Sequence, residues 1–194
     1  MQVTQYSQTE FEIFTIDGAF SDAEIDALSS FVDSRILIAS DKNFTGSGFS
    51  NGKLLHPVLA ARILSRVTAL LPETYVDACG VAWMFVDASR HVFYASMSTG
   101  DMFGIHTDTG SEYKDELNNR TLSRHTVIIY LNDGFQGGRT TFYSDAFEKT
   151  CEIIPQKGRL LAFDIDRYHK GERVLNGTKK WFGIELVARS VHLS

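Results

Sequence analysis

Three side chains that commonly bind metal ions stand out in the sequence. His106 and Asp108 lie two residues apart in Gly104-Ile-His-Thr-Asp, and His169 follows in Asp166-Arg-Tyr-His-Lys-Gly. Two histidines and one carboxylate can occupy one face of a divalent metal ion such as Fe(II), which leaves the opposite face open for a chelating substrate and dioxygen. The three residues therefore predict an open metal site that supports oxidative chemistry.

A lysine shortly after the second histidine adds a cation to this set. Lys179 lies ten positions after His169, and alternation along a strand places Lys179 and Trp181 on one face and Phe182 on the other. We expect the apolar face to pack against helices, so Lys179 points inward and needs an anionic partner. Glu185 could be that partner, although it lies about 20 Å along the strand. The other alternative is a lysine that reaches solvent at the strand mouth.

Several sequence blocks surround these residues in a fixed order. They are Gly100-Asp-Met-Phe-Gly-Ile-His106-Thr-Asp108, Val127-Ile-Ile-Tyr130-Leu-Asn-Asp133, Gly137-Gly-Arg-Thr-Thr-Phe142 and Pro155-Gln-Lys-Gly-Arg-Leu-Leu-Ala-Phe-Asp164, followed by the segment around His169. In this order and at these separations they resemble the Fe(II)- and 2-oxoglutarate-dependent dioxygenases, and among them the prolyl 4-hydroxylase-like branch. The resemblance runs from about Val92 to Arg189. A single His-x-Asp would be weak, whereas five ordered blocks are specific.

The resemblance implies a fold and a reaction. The fold would be mainly β with flanking helices, a double-stranded β-helix of the cupin-like jelly-roll type. His106, Asp108 and His169 would bind Fe(II), and Lys179 would bind the C5 carboxylate of 2-oxoglutarate. The reaction would consume O2, convert 2-oxoglutarate to succinate and CO2 and hydroxylate an amino-acid substrate, with ascorbate as a candidate reductant.

The resemblance also assigns a co-substrate contact to Tyr130. Thr126 shares a strand face with Tyr130 by alternation, so both hydroxyls are expected to point into the barrel and contact 2-oxoglutarate. The alternative for Tyr130 is a packed tyrosine whose hydroxyl bonds to the backbone.

Two positions depart from the family pattern. Met97 stands where the family usually has a tyrosine, and Arg139 stands where it often has an acid after the double glycine. Neither departure affects the metal ligands or Lys179, so they bear on the substrate and not on the reaction type. The candidate substrate contacts are Met97, Arg120, Arg124, Arg139 and Trp181.

Other functions remain compatible with the same residues. The substrate could be a protein, a peptide or a small molecule. A sensor on the same fold could bind metal and 2-oxoglutarate without turnover. A related barrel could instead use Zn²⁺ or Mn²⁺ for non-oxidative chemistry, because the affinity order of divalent ions does not favour Fe(II).

Size and composition limit the classes of function. The 194 residues fit one domain, 1–194, that buries about 70% of the surface of its unfolded chain. With 19 basic and 24 acidic residues, a net charge of −5 and no basic block, the chain is not expected to bind nucleic acid. Cys79 and Cys151 share no motif and are expected to be reduced thiols. Without a signal peptide or a membrane span, we expect a cytoplasmic protein. The oligomeric state cannot be predicted.

The sequence divides into two regions. Residues 1–75 are predicted to be mainly helical and to support the core, and residues 80–190 are predicted to form the β core. A helix is expected after Ser21, with Glu24 completing a capping box, and a second one over 57–71. Short strands are expected at 103–106 and 125–130. The polar segments 40–53 and 109–124 are lid candidates. The remaining histidines, His56, His91, His125 and His192, have no ligand spacing.

Overall fold

A computed structural model of the chain describes residues 1–7, 11–35, 38–39, 50–77, 79–114 and 120–191. Within these ranges the helices are α1 (Asp22–Asp33) and α2 (Pro57–Thr68). The strands are β1 (Gln2–Gln5), β2 (Ile13–Asp17), β3 (Ile38–Ala39), β4 (Ser50–Leu55), β5 (Tyr75–Val76), β6 (Ala82–Ala88), β7 (His91–Ser98), β8 (Phe103–His106), β9 (Glu112–Lys114), β10 (Arg120–Tyr130), β11 (Gln136–Gly137), β12 (Thr140–Tyr143), β13 (Lys149–Ile153), β14 (Leu160–Asp164), β15 (Tyr168–Gly171), β16 (Val174–Asn176) and β17 (Thr178–Val191).

The strands form two main antiparallel sheets. The larger sheet has the order β1-β2-β14-β10-β17-β7-β4-β3, with β6 also paired to β17, β5 to β6 and β9 to β10. The smaller sheet has the order β13-β12-β15-β8, and β11 and β16 form a separate pair. This curled arrangement confirms the predicted double-stranded β-helix with flanking helices.

Helix α1 begins as its sequence predicts. The side chain of Ser21 accepts a hydrogen bond from the backbone N–H of Glu24, and the Glu24 carboxylate accepts one from the N–H of Ser21 at 2.9 Å. This reciprocal pair satisfies two of the N–H groups that a helix start leaves without partners. Ile25 and Val32 then lie on the buried face of the helix.

Helix α2 ends earlier than predicted. Pro57 occupies the first turn, but the helix stops at Thr68 instead of continuing to Leu71. The N–H groups of Leu70 and Leu71 bond to carbonyls three residues back, those of Val67 and Thr68. The chain therefore tightens into a turn before it reaches the proline at 72.

Both helices cover one face of the larger sheet. Phe182, Ile184 and Leu186 of β17 are buried in one apolar cluster with helix residues such as Ile25 and Ile63. Each such side chain contributes about 1.5–3 kcal/mol when fully buried. The alternation predicted for β17 is therefore correct, and its other face points away from the helices.

A second apolar cluster lies between the two sheets. Phe142 and Ile153 of the smaller sheet pack with Leu161, Phe163 and Tyr130 of the larger one. Phe142 and Phe163 of this cluster also contact the ring of His169, so the apolar core reaches the polar side chains between the sheets.

The N-terminal region contributes more than the predicted helices. Strand β2 lies between β1 and β14 inside the larger sheet, and β3 and β4 extend its other edge. The lid candidates also contain strand: residues 50–53 belong to β4, 112–114 form β9, and 120–124 begin β10. Residues 40–49 and 115–119 of those candidates, and His192, lie outside the described residues.

Two further observations concern the described residues. None of their helices is both long and apolar enough to cross a membrane. Cys79 is exposed, Cys151 is half-buried, and both are free thiols.

Candidate active site

Strand pairing brings the two ligand histidines together. His106 on β8 lies directly opposite His169 on β15 in the smaller sheet. Asp108 follows just beyond the end of β8, and its backbone N–H donates to the carbonyl of Ile165 at 3.2 Å. As a result, one ligand atom from each of His106, Asp108 and His169 lies within 4.8 Å of the others.

Local hydrogen bonds set the tautomer of both rings. The Nδ1 of His106 is 2.7 Å from the carbonyl of Gly104, and the Nδ1 of His169 is 3.0 Å from that of Arg167. A carbonyl can only accept, so each Nδ1 carries the proton and each Nε2 offers a lone pair. The two Nε2 atoms are 3.4 and 3.8 Å from Oδ1 of Asp108.

These donors fit a divalent metal ion. The Nε2 of His106 is buried and lacks a hydrogen-bond partner among the described residues. A buried polar atom without a partner is costly, and a metal ion would satisfy it. Two imidazole lone pairs and a carboxylate are also the donor set expected for an open Fe(II) site.

The protonation states suit metal binding as well. Burial opposes ionisation of Asp108, but the neighbouring imidazoles of His106 and His169 and the hydroxyl of Thr126 outweigh it, and the pKa of Asp108 lies below its ordinary value. Burial is also the main reason that the pKa of His169 falls to about 4. At neutral pH the site therefore presents a carboxylate and a neutral imidazole, which are the forms that bind metal.

Neighbouring strands orient and enclose the ligands. Thr126 on β10 donates its hydroxyl to Oδ2 of Asp108 at 2.5 Å, which leaves Oδ1 on the side of the histidines. The ring of Phe103 lies 3.9 Å from that of His106, and the ring of Phe163 lies 4.6 Å from that of His169. The aromatic contacts limit rotation of the imidazoles and exclude water from one side.

Lys179 is buried inside the barrel, 3% exposed. Its Nζ donates to the carbonyl of Gly138 at 2.7 Å and lies 5.2 Å from the centre of the Tyr130 ring. Burial lowers the pKa of Lys179 to about 7. No carboxylate of the described residues forms an ion pair with it, so the charge is available for an anionic ligand.

The backbone around Lys179 is held on two sides. The side chain of Asn132 donates to the carbonyl of Thr178 at 2.6 Å and accepts from the N–H of Lys180 at 2.7 Å. Gly138 has a φ of 64°, where a Cβ would also meet the Phe135 ring at 2.9 Å. Glycine at this position therefore lets its carbonyl approach the lysine.

A comparison with protein families identifies the core of the molecule. The model of the 2OG-Fe(II) oxygenase superfamily matches residues 92–184, which include the three ligand residues and Lys179. The match covers just under half of the chain, and over this part the chain is similar to the 2OG-Fe(II) oxygenase superfamily. Among curated proteins, none matches this chain by sequence.

Solved structures share the fold of this chain at low sequence identity. A prolyl-4-hydroxylase from Pseudomonas putida is 14% identical with a TM-score of 0.65, over 91% of this chain and 92% of the other. A viral collagen prolyl hydroxylase from Paramecium bursaria Chlorella virus-1, in complex with 2-oxoglutarate, is 21% identical with a TM-score of 0.60, over 91% and 96%. A Trichoplax adhaerens prolyl hydroxylase bound to a hypoxia-inducible-factor peptide is 14% identical with a TM-score of 0.62, over 91% and 84%.

The residues predicted to contact the co-substrate lie on the inner face of the larger sheet. Tyr130 is buried and shares a 2.7 Å hydrogen bond with the hydroxyl of Thr140, so its partner is a side chain and not the backbone. Thr126 lies opposite Glu185, several residues along β17 from Lys179. The contact that the structure shows for Thr126 is to Asp108, and its contact with 2-oxoglutarate stays a prediction.

The candidate substrate contacts separate into two groups. Met97 lies opposite Lys179 and Trp181 opposite Tyr130, so both belong to the inner face of the barrel. Arg120 is exposed and pairs with Glu112, and Arg139 pairs with Glu152. For these two arginines a substrate role stays a prediction that no contact supports.

For Arg124 a substrate contact stays a prediction, and the contacts that the structure shows are internal ones. Its guanidinium is mostly buried and pairs with Asp164 at 2.9 Å and Asp166 at 3.2 Å, and it lies 4.8 Å above the Trp83 ring. The guanidinium of Arg124 is therefore already paired with carboxylates of the protein. Its backbone carbonyl also accepts from the N–H of Ile165, which connects it to the turn between β14 and β15.

Sequence reasoning assigned no site role to Asn132 or Ser123, and it considered Glu185 only as a partner for Lys179. Ser123 donates its hydroxyl to Oε2 of Glu185 at 2.5 Å. Burial raises the pKa of Glu185, the Ser123 hydrogen bond lowers it, nearby Asp108 raises it and Lys53 lowers it, with a net rise. The alternation of β17 places Glu185 on the inner face, because it follows Lys179 and Trp181 at even spacing.

Proposed function

We propose that the chain is an Fe(II)- and 2-oxoglutarate-dependent hydroxylase that acts on an amino-acid residue and forms succinate and CO2. One observation carries the proposal: a buried, unpaired Nε2 of His106 faces Asp108 and His169 in the same interior that holds the buried cation of Lys179. A metal-binding set and an anion-binding group inside one barrel fit a metal ion together with a dicarboxylate.

Fe(II) bound by His106, Asp108 and His169, with 2-oxoglutarate as co-substrate, supplies the oxidation of an unreactive C–H bond by dioxygen. The protein contributes position and surroundings. Thr126 holds one oxygen of Asp108, and the carbonyls of Gly104 and Arg167 hold the imidazoles.

Lys179 would orient 2-oxoglutarate through its distal carboxylate. An anion beside this ammonium would offset the free-energy cost of its burial, because the carbonyl of Gly138 alone offsets only part of that cost. The neighbouring side chains, Tyr130 and Met97, are buried and limit the access of water to that end of the interior.

The substrate class is supported by the structural relatives. Three of them are prolyl hydroxylases, and one of these is bound to a peptide. We therefore propose an amino-acid residue of a peptide or protein as the substrate, with a free small molecule as the second candidate.

Turnover of 2-oxoglutarate tests this function. The purified chain is loaded with Fe(II) without oxygen, mixed with 2-oxoglutarate and ascorbate, exposed to air and assayed for succinate. We expect succinate from the wild type and from Asp145→Ala, an exposed residue in a turn, and none from Asp108→Ala. Peptides and metabolites of a cell lysate are then searched by mass spectrometry for a gain of one oxygen atom.

The same experiment can reject the proposal. Binding of metal and 2-oxoglutarate without succinate under any of these conditions would contradict a hydroxylase and favour a binding protein. Loss of succinate in both variants would show that the signal does not depend on the metal site.

A further inference from the structure

Glu185 lies beside the metal ligands but is not used by them. It stands directly opposite Thr126 across the β10–β17 pair, and Thr126 bonds to the metal-binding carboxylate of Asp108. Paired residues of adjacent strands point to the same side of a sheet. Glu185 therefore belongs to the same inner face as the metal ligands.

The Glu185 carboxylate is held in place by its neighbours. The Ser123 hydroxyl donates to Oε2 of Glu185 at 2.5 Å, and the backbone N–H of Ser111 donates to that hydroxyl at 3.1 Å. One carboxylate oxygen is thus fixed, while the other, Oε1, receives no hydrogen bond from a described residue. Glu185 also forms no ion pair within the described part of the chain.

Aromatic rings line the space next to this carboxylate. Gly183 precedes Glu185 on the same face, and a Cβ at Gly183 would lie 2.9 Å from Cζ3 of Trp181. The indole ring of Trp181 therefore extends along the strand over Gly183, in the direction of Glu185. Phe93 is the neighbour of Gly183 on β7 and is half-buried.

A cation already lies against one of these rings. Lys53 lies opposite Phe93 in the β4–β7 pair, and its Nζ is 4.8 Å from the centre of the Phe93 ring. Lys53 is exposed and is not in ion-pair contact with Glu185. The aromatic wall can therefore interact with a positive charge, but Lys53 leaves the carboxylate of Glu185 open.

We propose that the substrate carries a cationic nitrogen, an ammonium or guanidinium group, that binds Glu185 and lies against the ring of Trp181. A carboxylate with one free oxygen and an adjacent aromatic ring together match such a group. The inference rests on the proposed function, because it assumes that the substrate enters beside the metal ligands. The cation is either the α-ammonium group of a free amino acid or the side chain of a basic residue.

Two matched pairs of probes distinguish these sources. L-Proline amide against N-acetyl-L-proline amide tests the α-ammonium group. N-acetyl-L-lysine amide against N-acetyl-L-norleucine amide tests a side-chain ammonium group. Binding is measured by calorimetry and by ligand-observed NMR, without oxygen, on the protein loaded with Mn(II) and 2-oxoglutarate, and succinate formation is measured separately with Fe(II).

We expect one cationic probe to bind at least about tenfold more tightly than its neutral counterpart. This preference should disappear in Glu185→Gln, which keeps the hydrogen bond to Ser123, and persist in Glu148→Gln, which makes the same charge change on an exposed residue. Glu185→Lys should favour N-acetyl-L-glutamate amide instead. Unchanged thermal unfolding and 2-oxoglutarate affinity of the Gln variant would show that the fold is intact.

Two results would overturn the proposal. One is the absence of a charge preference in the wild type, whether the four probes bind equally or not at all. The other is a preference that survives Glu185→Gln but disappears in Lys53→Met. A third result would separate the two proposals. If the charge preference depends on Glu185 but no substrate yields succinate, the proposed hydroxylase is contradicted and the cation site is still supported.

Discussion

Strand β10 has a polar cluster on each side, and the two clusters differ in how their charges are balanced. On the inner side, Thr126 leads to Asp108 and the two histidines, where Nε2 of His106 has no hydrogen-bond partner among the described residues. On the other side, the terminal nitrogens of Arg124 pair with Asp164 and Asp77, at 2.9 and 3.6 Å, although its Nε also has no hydrogen-bond partner among the described residues. The inner carboxylate faces imidazole lone pairs that a metal ion would bind, whereas the outer carboxylates already face a guanidinium.

The difference separates a binding site from a structural one. Both clusters contain acids next to basic side chains, and both are largely buried, so residue types alone do not distinguish them. What distinguishes them is the cation: Asp164 and Asp77 face the guanidinium of Arg124, whereas Asp108 faces the Nε2 lone pairs of two imidazoles. We therefore expect changes on the inner side to affect ligand affinity and changes on the outer side to affect stability.

Among the variants that test this difference between the clusters, the largest effect is expected at Lys179. Lys179→Ala should weaken 2-oxoglutarate binding on the order of a hundredfold, because the buried cation that meets its distal carboxylate is lost. Metal affinity should stay nearly unchanged. Calorimetry on the Mn(II) protein without oxygen measures both, with Lys180→Ala as a control, since Lys180 pairs with Asp33 on the helix side.

Equal affinity for 2-oxoglutarate in wild type and Lys179→Ala would mean that the anchor is another residue. A similar loss of 2-oxoglutarate affinity in Lys180→Ala would mean that the effect comes from a disturbed β17 and not from the missing charge of Lys179.

On the outer side, Arg124→Met should lower the free energy of unfolding by roughly 3 kcal/mol, because it leaves partly buried carboxylates without their cation. Urea unfolding measures this. Arg120→Met removes an exposed pair with Glu112 and should cost less than about 1 kcal/mol. If Arg124→Met kept the stability of the wild type but lost metal binding, the proposed difference between the two clusters would be wrong.

Thr126→Val should reduce metal affinity by about 10–100-fold, because the Oδ2 of Asp108 loses its hydrogen-bond donor. Thr126→Ser keeps the hydroxyl and should restore most of the affinity. Competition with a chromogenic chelator measures the change. A valine variant with the affinity of the wild type would show that Asp108 is positioned by its backbone alone.

The smallest effect concerns pH. The pKa of Lys179 in the free protein is about 7, and a bound carboxylate should raise it. Above that pH, 2-oxoglutarate binding must take up a proton, so affinity should fall by up to about tenfold per pH unit. Below it, Lys179 is already charged and its contribution is constant.

Calorimetry near pH 8 in buffers of different ionisation enthalpy measures this proton uptake. We expect close to one proton in the wild type and a much smaller uptake in Lys179→Ala. An uptake that does not depend on Lys179 would assign the titration to another group.

The sequence was sufficient for features that depend on local spacing. The capping box of α1, the alternation of β17 and the spacing of His106 and Asp108 each need only a few neighbouring residues, and the structure agrees with each. The convergence of His169 with these residues is not local, and its prediction depended on the order of the family blocks.

Features that depend on pairing between distant segments were not predictable in the same way. The β10–β17 register shifts between Ser123 and His125, which breaks the simple alternation at Arg124. The carboxylates that surround Arg124 come from β14, from the turn after it and from the segment after β5. A loop arginine and a paired arginine are therefore indistinguishable until the sheet is assembled.

Each ligand imidazole of the metal site is bonded to a carbonyl two residues before it, at Gly104 and at Arg167. The rings are thus aligned by their own strands before any ion arrives, and such a preformed set discriminates weakly among divalent ions. Cu²⁺, Ni²⁺ and Zn²⁺ bind nitrogen ligands more tightly than Fe²⁺ does. Protein purified on a nickel column is therefore expected to carry Ni²⁺ in place of Fe²⁺. Such a preparation should be inactive, and removal of the ion with a chelator followed by anaerobic reloading with Fe²⁺ should restore activity.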